Sequence, residues 1–250
     1  MAESNGWYFD FFRKRIDFVT AHCLPSDDIV GYIVWGACVD ALAQIHAVSS
    51  GTRKRNREQF VDFLVQLRPD LETISVPLLA HDLRRLAANG NARAAALLHE
   101  AVFREYQKAV GTTDGMSRVW QSDDDRRSNS RVLSFATCDI CKDQLWPTAG
   151  KNRYADLLYL QYRNPAVHGV EIGLKTSSAA LPMPGAREPH YINHSCDSRC
   201  SRGETQQYRT RISFSLNYLI KLLGELVDDL EQRCVANGWT IPPYATIELS

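Results

Sequence analysis

Three side chains with complementary chemistry fall within one short run, Tyr162-Arg163-Asn164-Pro165-Ala166-Val167-His168-Gly169. An arginine carries a permanent charge on a planar fork that matches phosphate oxygens. A histidine titrates near neutral pH and can take or give a proton in a reaction. An asparagine orients either of them by hydrogen bonding. Together they form a minimal set for holding a phosphodiester and moving a proton at it, with no metal required.

The Arg-to-His spacing carries no information by itself. The chain has 22 arginines and seven histidines, and four pairs have four to six residues between them: Arg15/His22, Arg93/His99, Arg163/His168 and Arg187/His194. Chance alone yields about two. Context separates the pairs. Of the four, only Arg163 is followed by Asn, and only His168 by Gly. Arg163 also closes the apolar run Tyr154 to Tyr162. Pro165 disfavours continued helix at Asn164, and Gly169 lets the chain leave in a conformation that other residues resist. A bend there gathers side chains that a straight rod would spread over several faces.

Positioning these residues requires a rigid frame, and the hydrophobic periodicity predicts a helical one. Phe9, Phe12, Ile16 and Val19 mark a helix from about Trp7 to His22. Residues from about 27 to 48 are apolar on most sides, which predicts a central buried helix behind the acidic cap at Asp27-Asp28. Shorter helices are expected near 58–67, 76–88 and 92–110, with Asn89-Gly90-Asn91 as a break. A helix from about 152 leads into Arg163. The last is expected over about 205–237, with Gly238 as its C-cap. Two irregular excursions, about 111–150 and 170–204, interrupt the pattern. In the first, Asp123-Asp124-Asp125 reads as a loop tip; in the second, short strands are expected at 170–174 and 190–193. The expectation is one all-α domain over residues 1–250.

The run Tyr-Arg-Asn-x-x-x-His-Gly at the end of a core helix resembles the restricted motif of the HEPN family. Gly31 to Ala43, with an acidic residue (Asp40) ahead of a Leu-Ala pair, is similar to the early helix of those domains. The resemblance covers a four-helix framework, about 7–48, 152–169 and 205–237, and neither excursion. It implies a HEPN-like bundle acting as a metal-independent endoribonuclease, in which the ribose 2′-OH attacks the adjacent phosphate. His168 then serves as base or acid, Arg163 as phosphate clamp and Asn164 as positioner. Tyr162 is a candidate to stack a base. The basic run Arg53 to Arg57 reads first as a solvated loop and alternatively as an RNA-guiding patch, and the same two readings apply to the candidate RNA contacts Arg209 and Arg211. The family pairs two copies of the motif, which implies a homodimer. It also implies a toxin or antiviral role with a regulatory or antitoxin partner. The same framework elsewhere serves as a non-catalytic module binding a partner protein or nucleotide.

Cys138-x2-Cys141 and Cys196-x3-Cys200 place one cysteine pair in each excursion. Two such pairs can hold a structural zinc, with His194 able to replace one thiolate; unconnected thiols are the alternative. Cys23, Cys38 and Cys234 fall in or beside helices and are expected in the core.

Basic and acidic residues balance at 29 each, which excludes non-specific coating of nucleic acid by net charge and leaves a local basic site open. Seven cysteines and an N-terminus without a secretory pattern point to a reducing, cytoplasmic setting. No span of apolar residues predicts a membrane crossing. Walker, dinucleotide-binding and H-E-x-x-H patterns are absent.

Overall fold

A computed structural model describes residues 6–26, 28–52, 54–110, 120–136, 142–164, 189–195 and 208–241. These are mostly helical, with a two-stranded antiparallel ribbon. Residues 1–250, expected as one domain, group by contacts into two compact units. The first comprises the described residues within Met1–Leu71, Leu158–Gly173 and Ser215–Ser250, and the second those within Glu72–Leu157 and Leu174–Phe214.

The first unit contains α1 (Gly6–His22), α2 (Ile29–Ser50), α3 (Asn56–Leu67) and a long last helix (Leu216–Asn237), here α10. Three of the boundaries have a local cause. The Asp28 carboxylate accepts from the Val30 N–H at 2.9 Å and starts α2, and Gly51 ends it at φ 71°, a left-handed conformation that glycine adopts without strain. Ser215 caps α10 by accepting from Tyr218 N–H at 3.1 Å, so that helix starts later than the pattern predicted. Tyr8, Phe9, Phe12 and Val19 bury one face of α1, and Leu216, Leu219, Leu223, Leu226 and Leu230 one face of α10. Arg13 fastens the two helices through Asp228 and Glu231. α2 and α10 approach so closely that a Cβ on Gly31 would lie 2.5 Å from a Leu216 methyl carbon. α2 is long and apolar enough to cross a membrane, yet 56% of its most apolar window is buried inside the protein. It serves as the central helix that its composition predicted.

The second unit contains α4 (Val76–Ala88), α5 (Ala92–Leu97), α6 (Ala101–Val110), α7 (Ser122–Ala136), α8 (Lys142–Ala149), α9 (Tyr154–Leu157) and strands β1 (His190–Ser195) and β2 (Tyr208–Ser213). Three expectations are corrected here. The stretch 92–110 is two helices. The acidic run Asp123 to Asp125 is the first turn of α7, where negative charge is favoured. Residues 208–213 are a strand paired with β1 in the register His190 opposite Ser213. Pro147 sits inside α8 and limits it to eight residues.

Asp125 is fully buried and organises this unit. One carboxylate oxygen accepts from Val76 N–H at 3.0 Å and from the Trp120 indole N–H at 2.8 Å. The other accepts from the Tyr154 hydroxyl at 2.7 Å and from the Tyr191 hydroxyl, which also bonds the Ser75 hydroxyl at 2.8 Å. One side chain thus joins the starts of α4 and α7 to α9 and β1. Burial pushes its carboxyl up to about 6, and the four donors act in the opposite sense.

The folded-state value lies above the ordinary one, so the native protein holds this proton more tightly than the unfolded chain. Asp125 therefore contributes most to stability below about pH 4 and loses that contribution as pH rises through about 6. Asp125→Asn is expected to flatten the stability profile in this window, as read by urea unfolding at a series of pH values. Asp125→Ala takes the acceptor from Val76 N–H, the Trp120 indole and the Tyr154 hydroxyl, while Tyr191 keeps Ser75, and is expected to cost about 3 kcal/mol or more. An alanine variant as stable as the parent would contradict this role.

Candidate functional site

The segment carrying Arg163 is not an ordinary helix. After the short turn of α9, Leu158–Arg163 forms a π-helix, a widened coil that is rare and concentrates at functional sites. It lies against one face of α2, and three α2 residues at four-residue steps receive it. Helical geometry puts such residues one above another on the same face.

Tyr32 comes first. Its ring stacks on that of Tyr162 with centroids 5.8 Å apart and planes at 27°, and both residues are fully buried. Gly36 is next. A Cβ there would stand 3.2 Å from Arg163 Cγ and 3.4 Å from Arg163 Cα, so a side chain at this position would press against the arginine's backbone and stem. Asp40 completes the face. Its carboxylate accepts from Arg163 Nε at 2.6 Å and also pairs with a terminal guanidinium nitrogen. The side chains of Arg163 and Asp40 are only 14% and 19% exposed. A charge-assisted pair this sheltered is screened less than a surface pair and fixes the plane of the guanidinium. The Arg163 guanidinium carbon also lies 5.3 Å from the centre of the Tyr159 ring, and that ring meets Phe60 edge-on at 5.2 Å.

Aromatic neighbours and a carboxylate thus hold Arg163 in one orientation. Asn164, the next residue, is exposed. His168 lies outside the described residues, as do Cys138, Cys141, Cys196 and Cys200. His194 is on β1. Among the described residues no group of three or more His, Cys, Asp or Glu is placed to hold a metal. Arg209 and Arg211, expected near the start of the last helix, are on β2 opposite His194 and Ile192. They belong to the second unit, whereas Arg163 belongs to the first. Tyr162, expected to meet a base, is a core residue: its ring is already stacked on Tyr32, and a base could take that face only if the tyrosine left the core. Asp40 was legible as an acidic residue in an apolar helix. Its partner was not, because 123 positions separate the two.

Cys23, Cys38 and Cys234 are buried and free, as the sequence predicts. Burial pushes the Cys38 and Cys234 thiols up to about 11, which makes them inert at neutral pH.

Removing the Asp40 charge takes away the carboxylate that accepts from Arg163 Nε. Asp40→Asn is expected to lower the unfolding free energy by about 1–3 kcal/mol, measured by urea titration. Gly36→Ala is expected to give a smaller loss through the contact with Arg163. If both variants matched the parent, this face of α2 would not be what positions the arginine.

No protein-family model, no curated protein and no solved structure matches this chain.

Proposed function

We propose that this chain is a metal-independent endoribonuclease of HEPN type, with Arg163, Asn164 and His168 as its active residues. The observation that carries the reading is the clamped geometry of Arg163: a π-helical segment ends on an arginine whose plane is fixed by Asp40 from the core helix. A preoriented guanidinium suits binding of a phosphodiester, since less conformational freedom is lost when the anion arrives. The first unit also holds three helices of the framework that the resemblance covers, α1, α2 and α10, with Leu158–Arg163 of the fourth, while Tyr154–Leu157 and the strand at 208–213 belong to the second unit.

In this mechanism His168 takes the proton of a ribose 2′-OH as the oxygen attacks the neighbouring phosphorus. Arg163 offsets the charge that grows on the phosphorane oxygens. The P–O5′ bond breaks, the leaving oxygen takes up a proton, and the RNA is left with a 2′,3′-cyclic phosphate and a 5′-hydroxyl. One histidine does not easily serve as both base and acid in a single turnover, so a second copy of the motif supplies the other. The active form is therefore a homodimer with a composite site, acting in the cytoplasm in a toxin or antiviral system under a regulatory partner.

A second reading has its own support. The Asp40 pair gives Arg163 a structural task, and a helical module that binds a partner protein or nucleotide needs no more than that. Cleavage separates the two. Purified protein is expected to cut RNA in the presence of a chelator, and His168→Ala is expected to slow cutting by about 100-fold or more while unfolding as the parent does. Cleavage undiminished in that variant would sink the assignment, and no cleavage by the parent under any condition would favour the module.

A structural zinc held by Cys138, Cys141, Cys196 and Cys200, with His194 as the alternative ligand, belongs to the same proposal and rests on spacing alone. Elemental analysis is expected to find zinc in protein purified without added metal, and much less in a Cys138→Ser/Cys141→Ser variant. Equal zinc in both would remove these cysteines as ligands.

A further inference from the structure

The outer face of α1 has a pattern of its own. Opposite the buried Phe9, Phe12 and Val19, a stripe at alternating four- and three-residue steps runs Trp7, Phe11, Lys14, Phe18 and Ala21. Trp7 is 53% exposed and Phe18 45%, a large aromatic area for a surface helix. Same-chain contacts keep neighbouring groups on this face. The Arg15 guanidinium carbon lies 4.3 Å from the Phe11 ring centre, and the Phe18 and His22 rings are 5.0 Å apart.

The charges flanking the stripe are sorted by side. With Phe11 and Phe18 at a positions and Trp7, Lys14 and Ala21 at d, the two g positions are Asp10 and Asp17. Arg15 and His22 take e positions, and all four are exposed. Between parallel paired helices, g of one faces e of the next heptad on the other, five residues on. That places Asp10, which also meets Arg13 of its own chain at 3.5 Å, against Arg15 of a second copy and Asp17 against His22, twice over by symmetry. An antiparallel pairing would set the acidic flanks against each other.

We propose that α1 is a self-pairing surface, on which two copies of this chain align their first helices in parallel about a two-fold axis. A free peptide of this length would pair poorly because it must first form a helix. Here the fold has already ordered α1, which lowers the cost of association. Lys14 is the one charged residue in the seam; its stem covers apolar surface while the ammonium reaches water, and it limits the strength of the pair. Single-stranded RNA is a weaker fit, because Asp10 and Asp17 would run beside its phosphates. The inference does not depend on the ribonuclease reading.

Light scattering on the full chain, coupled to size-exclusion chromatography, tests it by mass. The parent is expected to be a dimer and Phe18→Glu a monomer. Asp10→Arg and Arg15→Asp are each expected to weaken pairing by about tenfold or more, and the double swap to restore it. A monomeric parent, a Phe18→Glu variant that stays dimeric, or a swap that fails to restore pairing would each overturn the proposal. So would a monomeric parent that binds a single-stranded RNA oligonucleotide and loses it on Trp7→Ala. A chain that pairs through α1 and cuts no RNA upholds this inference while removing the ribonuclease reading.

Discussion

The pairing of Asp40 with Arg163 is the constraint around which the candidate site is built. A guanidinium withdrawn from water needs an opposing charge with good geometry, or it destabilises the fold. α2 meets that need with three residues on one face. Tyr32 seats Tyr162, Gly36 leaves room for the backbone and stem of Arg163, and Asp40 accepts from its guanidinium. The register is strict, since a shift of one residue along α2 would turn all three away. A buried carboxylate with four donors plays the matching part in the second unit, where Asp125 joins four elements through one side chain. Each unit is thus specified by a polar group whose partners lie far apart in the chain, set within an apolar core that supplies most of the stability.

Much of this was legible in the sequence, for identifiable reasons. α1, α2 and α10 show long apolar stripes, and the acidic cap at Asp28 and the glycine at Gly238 act locally, whereas the caps at Gly51 and Ser215 went unread. The parts that were not legible depend on distant partners or on competing patterns. The Ser122-x-x-Asp125 spacing is a helix-start signal, yet three consecutive aspartates read as a solvated tip until Asp125 is seen among two tyrosines and a tryptophan. Tyr208, Thr210, Ile212 and Phe214 alternate with Arg209, Arg211 and Ser213 at the two-residue period of a strand. That signal was masked by the stronger helical stripe beginning at Leu216. The π-helix has no periodic signature at all. Pro165 does offer a local reason for irregularity, because it has no N–H to return to the Gln161 carbonyl.

Of the motif's candidate site residues, Arg163, Asn164 and Tyr162 fall among the described ones. Arg163 and Asn164 were picked out by their context at a helix end, and the fold places Arg163 where its orientation is controlled. Tyr162 was misjudged because aromatic character says nothing about which way a ring faces, and in a widened coil the facing of successive residues departs from the usual 100° steps. The arginine has two tasks in the proposed chemistry. It closes the packing between α2 and the π-helical segment, and it presents positive charge to a phosphate. Those tasks are compatible when the carboxylate that holds the guanidinium also fixes its plane.

The chemistry of the cut ends tests the central claim most directly. RNA cleaved by the purified chain with chelator present should carry 2′,3′-cyclic phosphate and 5′-hydroxyl ends, because the ribose hydroxyl is the nucleophile and no water enters the first step. Products with 3′-hydroxyl and 5′-phosphate ends, or cleavage that disappears on chelation, would contradict the assignment of Arg163, Asn164 and His168 to a metal-independent transesterification.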